Sequence, residues 1–217
     1  MKSSKVESTV QISKGTLALE GILGLPTDSS GIIVFAHGSG SGRLSPRNNF
    51  VARQLQQRGL ATLLLDLLTP DEANDRQKVF DIDLLADRLL LAKAWLAEEP
   101  RTNTLGIGYF GASTGAGAAL QAAARDPSKI QAVVSRGGRP DLAEPYLLSV
   151  TAPTLLIVGG CDEPVIEMNQ AAYELLTCEK KMIIIPGATH LFEEPGTLEQ
   201  VAEHASKWFI RHLRRKD

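Results

Sequence analysis

The chain reads as one α/β domain, a mainly parallel sheet with helices on both faces. Three observations predict this. Short runs such as 32–36 and 61–65 are apolar at every position, the mark of strands covered on both sides. From residue 32 onward such runs alternate with amphipathic segments, and βαβα order implies parallel pairing. The 217 residues, 43% hydrophobic and 22% charged, suffice for one sizeable core and exclude wholesale disorder or a fibrous repeat.

The elements follow in order. Residues 6–12 alternate, and residues 16–25 form a second strand beyond a turn at Lys14 and Gly15. With 32–36 they make two or three opening strands without helices, which predicts an antiparallel edge. The first helix has Ser45 as N-cap, Pro46 at its first position, and Gly59 after Arg58 as its stop. Strand 61–65 ends at Asp66. A charged connection, 68–80, reads as a rim or loop. Helix 81–96 places Ile82, Leu85, Leu89 and Leu96 on one face. Strand 104–110, the Ala- and Gly-rich helix 114–125 and strand 130–134 come next, then a short helix at 142–148. Strand 154–158, helix 164–176, strand 182–185 and helix 197–213 complete the chain, with Thr197 and Gln200 suited to a capping box.

In such sheets ligands meet the carboxyl ends of strands, so residues just after each strand are the candidates. After 104–110 comes Gly111-Ala112-Ser113-Thr114-Gly115 and then a helix. This is G-x-S-x-G in its strand–turn–helix setting, where small neighbours tolerate a strained turn that lifts Ser113 above the sheet. The Thr114 amide then lies at a helix N-terminus, able to donate to an oxyanion. A serine hydroxyl needs a base, and the base an orienting acid. Of four histidines, His190 follows the last strand, His37 precedes a glycine turn, and His204 and His212 sit on the final helix. Asp162 follows strand 154–158 across Gly159-Gly160-Cys161; Asp141 is the alternative acid. The turn His37-Gly38-Ser39-Gly40-Ser41-Gly42 follows the third strand, and its Ser39 amide is the second candidate oxyanion donor.

Two competing motifs fail on context. Gly106 to Gly111 matches G-x-G-x-x-G, but Gly106 and Gly108 fall inside the strand, and the acidic residue expected about 20 positions on is missing. The glycine turn after residue 37 lacks the lysine of a phosphate-binding loop.

Together, the Gly38 turn, the Gly111 to Gly115 elbow, Asp162-Glu163-Pro164-Val165 and Pro186-Gly187-Ala188-Thr189-His190 resemble the α/β-hydrolase superfamily, in its dienelactone hydrolase-like branch, over about residues 16–213. The order Ser113, Asp162, His190 is that superfamily's order of nucleophile, acid and base. The resemblance implies an eight-stranded, mostly parallel sheet and cleavage of carboxylic esters or lactones with neither metal nor organic cofactor. Dienelactone hydrolases proper carry cysteine at the elbow. Serine here implies general ester chemistry.

The connection between strands 130–134 and 154–158 is nearly filled by its short helix. No large lid is expected, and the substrates are small soluble esters, thioesters or lactones. Arg43, Arg136 and Arg139 lie in loops at the same edge, where arginine can clamp a carboxylate. An acyltransferase on the same triad, or a non-catalytic protein keeping the fold, are the rival functions. The net charge of −2 predicts no nucleic-acid partner, no apolar stretch reaches the roughly 20 residues of a membrane span, and the polar start lacks a secretory core. Cys161 and Cys178 make neither a disulfide framework nor a metal motif. These features predict a cytoplasmic monomer or weak homodimer.

Overall fold

A computed structural model describes residues 6–127 and 130–215; the polar opening residues 1–5 lie outside them. Eight strands form one sheet: β1 (Val6–Lys14), β2 (Leu17–Leu25), β3 (Gly31–Ala36), β4 (Ala61–Leu65), β5 (Gly106–Ala112), β6 (Ile130–Arg136), β7 (Thr154–Gly159) and β8 (Lys180–Ile185). Their spatial order is β1-β2-β4-β3-β5-β6-β7-β8. β1 and β2 form an antiparallel hairpin across Gly15, whose φ of +59° costs a glycine little. β2 joins β4 antiparallel, and every later pairing is parallel. The antiparallel edge is thus β1 and β2 alone. β3 lies inside the sheet, as its fully buried residues require.

Among the described residues seven α-helices flank the sheet: α1 (Pro46–Gln57), α2 (Pro70–Ala73), α3 (Arg76–Val79), α4 (Ile82–Glu98), α5 (Thr114–Arg125), α6 (Glu163–Leu175) and α7 (Thr197–His212). Two apolar cores result, one on each face. Ile32, Val34, Leu63 and Tyr109 pack with Leu85, Leu89 and Ala119 of α4 and α5. Ile33, Phe35, Leu64 and Phe110 pack with Leu55 of α1 and Phe209 of α7. Successive strand residues point to opposite faces, so each apolar run supplies both cores. The glycines inside β5 relieve crowding: a Cβ at Gly108 would fall 2.7 Å from the Phe209 ring.

Helix starts follow the side chains that serve them. The Ser45 hydroxyl accepts from the Asn48 amide above Pro46, and Asp81 caps α4 by accepting from Leu84. The capping box expected at Thr197 does not form. Gly196, at φ +80°, takes the N-cap position, Thr197 Oγ1 donates to the Glu194 carbonyl, and Gln200 turns to the Gly196 carbonyl. A capping box lies instead within residues 68–80, where Thr69 and Glu72 exchange bonds at the start of α2. That connection therefore carries two short helices. Between β6 and β7 a 3-10 segment, Pro140–Ser149, fills the connection. Among the described residues no helix is long and apolar enough to cross a membrane.

Candidate active site

The β5–α5 turn holds Ser113 at φ +50°, ψ −123°, a region costing a residue with a Cβ roughly 1–3 kcal/mol. The surroundings impose it. A Cβ at Gly111 would meet the Ala116 backbone at 2.4 Å, and one at Gly115 would meet the Ala36 carbonyl oxygen at 2.2 Å. The glycines let α5 close against β5 and β3, and the chain turns at Ser113 to do so. The Ser113 amide donates to the Arg136 carbonyl, and the Ser113 carbonyl accepts from Arg139, fixing the turn from both sides.

The structure brings Asp162 and His190 to this serine. His190 Nδ1 lies 2.7 Å from Asp162 Oδ2, and Nε2 lies 3.4 Å from Ser113 Oγ. The first contact requires a proton on Nδ1, which leaves the Nε2 lone pair facing the hydroxyl. The second is long for a hydrogen bond. Asp162 is the N-cap residue of α6 yet makes no side-chain cap bond, so its carboxylate serves the imidazole rather than its own helix. Its side chain is 14% exposed and that of His190 38%. Backbone bonds from Gly160 to Ile185 and from Cys161 to Ala188 tie the acid loop to the base loop. Beyond His190, Thr189 bonds Glu194 through amide and hydroxyl, and Phe192 is buried at φ +56°.

The Ser39 and Thr114 candidates are in contact, since the Ser39 amide donates to Thr114 Oγ1 at 3.0 Å. An oxyanion would compete with that hydroxyl for the Ser39 amide. The Thr114 amide, in the first turn of α5, has no intrahelical acceptor. The turn beneath Ser39 is pinned by His37, a residue to which its place before a glycine turn assigned no role. Its Nδ1–H donates to the Gly38 carbonyl, and Nε2 accepts from the Leu67 amide. Burial lowers the His37 pKa, against the opposing pull of the Gly38 carbonyl and Asp66. The imidazole is therefore a neutral clasp between the β3 and β4 turns.

The three arginines do not converge. Arg43 is held by Glu20 and Asp66. Arg139 forms a two-toothed pair with Asp141, which removes that aspartate from the position of acid. Arg136 is not on the rim: it is 7% exposed, lies over the Phe192 ring at 5.7 Å, and its Nε has no hydrogen-bond partner. Burial, with Arg47 adding to it, pushes its pKa down to about 10. His204 and His212 lie on α7 away from Ser113, His212 against the Trp208 ring. Among the described residues no group of three His, Cys, Asp or Glu side chains could hold a metal ion.

Known proteins share this arrangement of chain. Two proteins from strains of Mycobacterium tuberculosis that carry the words phosphoribosyl transferase in their names are 58% identical over 207 residues, or 95% of this chain. That stretch is 47% of their length, so the chain spans about half of the curated relatives it matches. The crystal structure of a dienelactone hydrolase from Anabaena variabilis is 57% identical, with a TM-score of 0.95 over 97% of this chain and 99% of that one. The esterase domain of a Rhodothermus marinus protein, at 19% identity, superposes with a TM-score of 0.76 over 95% and 99% of the two chains, a likeness of fold. The sequence profile of the dienelactone hydrolase family matches residues 19–213. On that match, and on the eight-stranded sheet it accompanies, the chain belongs to the dienelactone hydrolase family of α/β-hydrolases.

Proposed function

We propose that the protein is a serine hydrolase that cleaves small carboxylic esters, thioesters or lactones through an acyl-enzyme. One observation carries the reading: a strained serine, an imidazole and a carboxylate lie in one chain of contacts of 3.4 and 2.7 Å. Ser113 Oγ attacks the acyl carbon as His190 Nε2 takes its proton. Asp162 keeps the other nitrogen protonated and stabilises the imidazolium. The Thr114 amide and the Ser39 amide, once it exchanges the Thr114 hydroxyl for the substrate, bind the oxyanion. His190 then protonates the leaving group, and water, activated by the same imidazole, releases the acid.

An acyltransferase on the same residues is the second reading, since a half-exposed imidazole is open to water and to an alcohol alike. The Mycobacterium proteins' name points to phosphoribosyl chemistry, but it describes chains more than twice this length, and the reading for this chain rests on Ser113. The deciding experiment is labelling by a serine-directed fluorophosphonate together with turnover of short p-nitrophenyl esters. Wild-type protein should label and turn over, and Ser113→Ala should do neither. Turnover by Ser113→Ala at the wild-type rate would overturn the proposal. Product analysis with an added alcohol separates hydrolysis from transfer.

A further inference from the structure

A cavity of about 350 Å³ opens beside the elbow, within the size range of ligand pockets. Ser39 and Thr114, the two oxyanion candidates, stand at its edge. Its outer part is apolar, with Leu68, Pro70, Ala73, Val79 and Leu85, and the glycine turn after β3 and Asp66 complete the lining. Ser113, Asp162 and His190 are not among its lining residues; Ser39 and Thr114 join it to the elbow, and the sheet explains why the imidazole is not there. β3 and β4 lie on one side of β5, and β7 and β8 on the other. The cavity and the imidazole thus flank Ser113 from opposite sides.

We infer that this cavity is the acyl pocket and that it selects neutral, apolar acyl groups, an inference that rests on the serine-hydrolase reading. The first part follows from where the proton must go. As the bond from Ser113 Oγ to the acyl carbon forms, the bond from that carbon to the leaving oxygen or sulfur breaks. The serine proton passes through His190 Nε2 to that leaving atom, so the leaving group lies on the imidazole side. The carbonyl oxygen points to the amides of Ser39 and Thr114. The acyl chain takes the remaining direction, into the cavity.

Charge decides the second part. Asp66 lines the cavity, and its cationic partner Arg43 is shared with Glu20. The lining carries this one carboxylate and neither lysine nor arginine, so nothing in the cavity wall would pair with a second carboxylate. A carboxylate-ended acyl chain would be desolvated beside like charge, whereas an alkyl chain gains roughly fourfold in binding per buried methylene. The outer wall is α2 and α3, held to α4 by the Glu72–Arg88 ion pair of 2.9 Å. Ala73 and Val79, on that wall, set how long a chain fits.

The test varies one side of the ester at a time. With p-nitrophenol fixed as the alcohol, kcat/KM should climb from acetyl to butanoyl or hexanoyl and fall for longer chains. The hemisuccinate should be cleaved about tenfold or more slowly than the neutral ester of equal length. Ala73→Phe, at an exposed helix end where folding is not at stake, should lower the hexanoyl-to-acetyl ratio of kcat/KM roughly tenfold; Val79→Phe should act the same way. In acetyl esters of graded alcohols, Ala73→Phe should leave the ratios among alcohols unmoved. If fluorophosphonate labels Ser113 but the acyl profile is flat, the hemisuccinate is preferred, or Ala73→Phe shifts the alcohol series instead, the acyl-pocket inference falls and the hydrolase reading stands. If Ser113 does not label and no ester turns over, both fall.

Discussion

Replacing Ser113 by glycine should remove the proposed nucleophile and make the protein more stable. The elbow holds this residue at φ +50°, ψ −123°, which costs a side chain with a Cβ roughly 1–3 kcal/mol. Glycine escapes that cost but loses more backbone entropy on folding, roughly 0.5–1 kcal/mol. The lost hydroxyl contact to His190 is a long one, 3.4 Å, and contributes little. The balance favours glycine by about 1 kcal/mol, or about 2–4 °C in Tm for a domain of this size. Ser113→Ala is the control, because it abolishes the hydroxyl and keeps the Cβ. Calorimetry of the three proteins at one pH gives the answer. Ser113→Gly should melt above both wild type and Ser113→Ala. A glycine variant that melts no higher than the alanine variant would show that the elbow stores no strain.

Three other outcomes are expected. Asp162→Asn leaves the fold intact but lets the imidazole take the wrong tautomer, so kcat for ester cleavage should fall about 10⁴-fold, as the same change does in serine proteases; retention of activity within tenfold would remove Asp162 from the relay. Burial of His37 lowers its pKa, so the unfolded chain binds the proton first as pH falls below about 6.5. Stability should be level above that value and drop below it until the folded imidazole itself protonates. His37→Gln should flatten Tm between pH 7 and 5 relative to wild type, with His204 and His212 present in both proteins, and an equally steep fall in the variant would refute the clasp. Arg136 is buried without a carboxylate partner, and an unpaired buried charge is costly. Arg136→Met should therefore match or exceed wild-type Tm, and a loss of more than a few degrees by differential scanning would mean that the guanidinium's hold on Phe192 outweighs its desolvation.

Local pattern and final structure part where backbone conformation, element length or a distant partner decides. The Thr197 and Gln200 pattern is right for a capping box, but Gly196 adopts a left-handed conformation and starts α7 one residue early. The Thr69 and Glu72 box opens a connection whose helices, α2 and α3, have four residues each, too short for hydrophobic periodicity to register. These two helices form the outer wall of the cavity, so the wall of the proposed acyl pocket is the part least visible in the sequence. The arginines show the weight of distant partners. Position in a loop says that a guanidinium is near the edge of the sheet, but Glu20, Asp66 and Asp141 were already holding two of them, and Phe192 lay over the third.

What the amino-acid order determined by itself was the alternation of strands and helices, the parallel sheet, and the residue types that follow each strand. Those features are local. Apolar runs, caps and the glycines of an elbow act over a few residues, and chain order in a parallel sheet brings strand ends to one edge. Only the tertiary structure decided the distances: 2.7 Å from His190 to Asp162, 3.4 Å to Ser113, the Ser39 amide on the Thr114 hydroxyl, and a cavity on the far side of the serine. Those contacts join residues up to 77 positions apart. They are set by how two faces of one sheet close against their helices, which is a property of the packed molecule rather than of any segment.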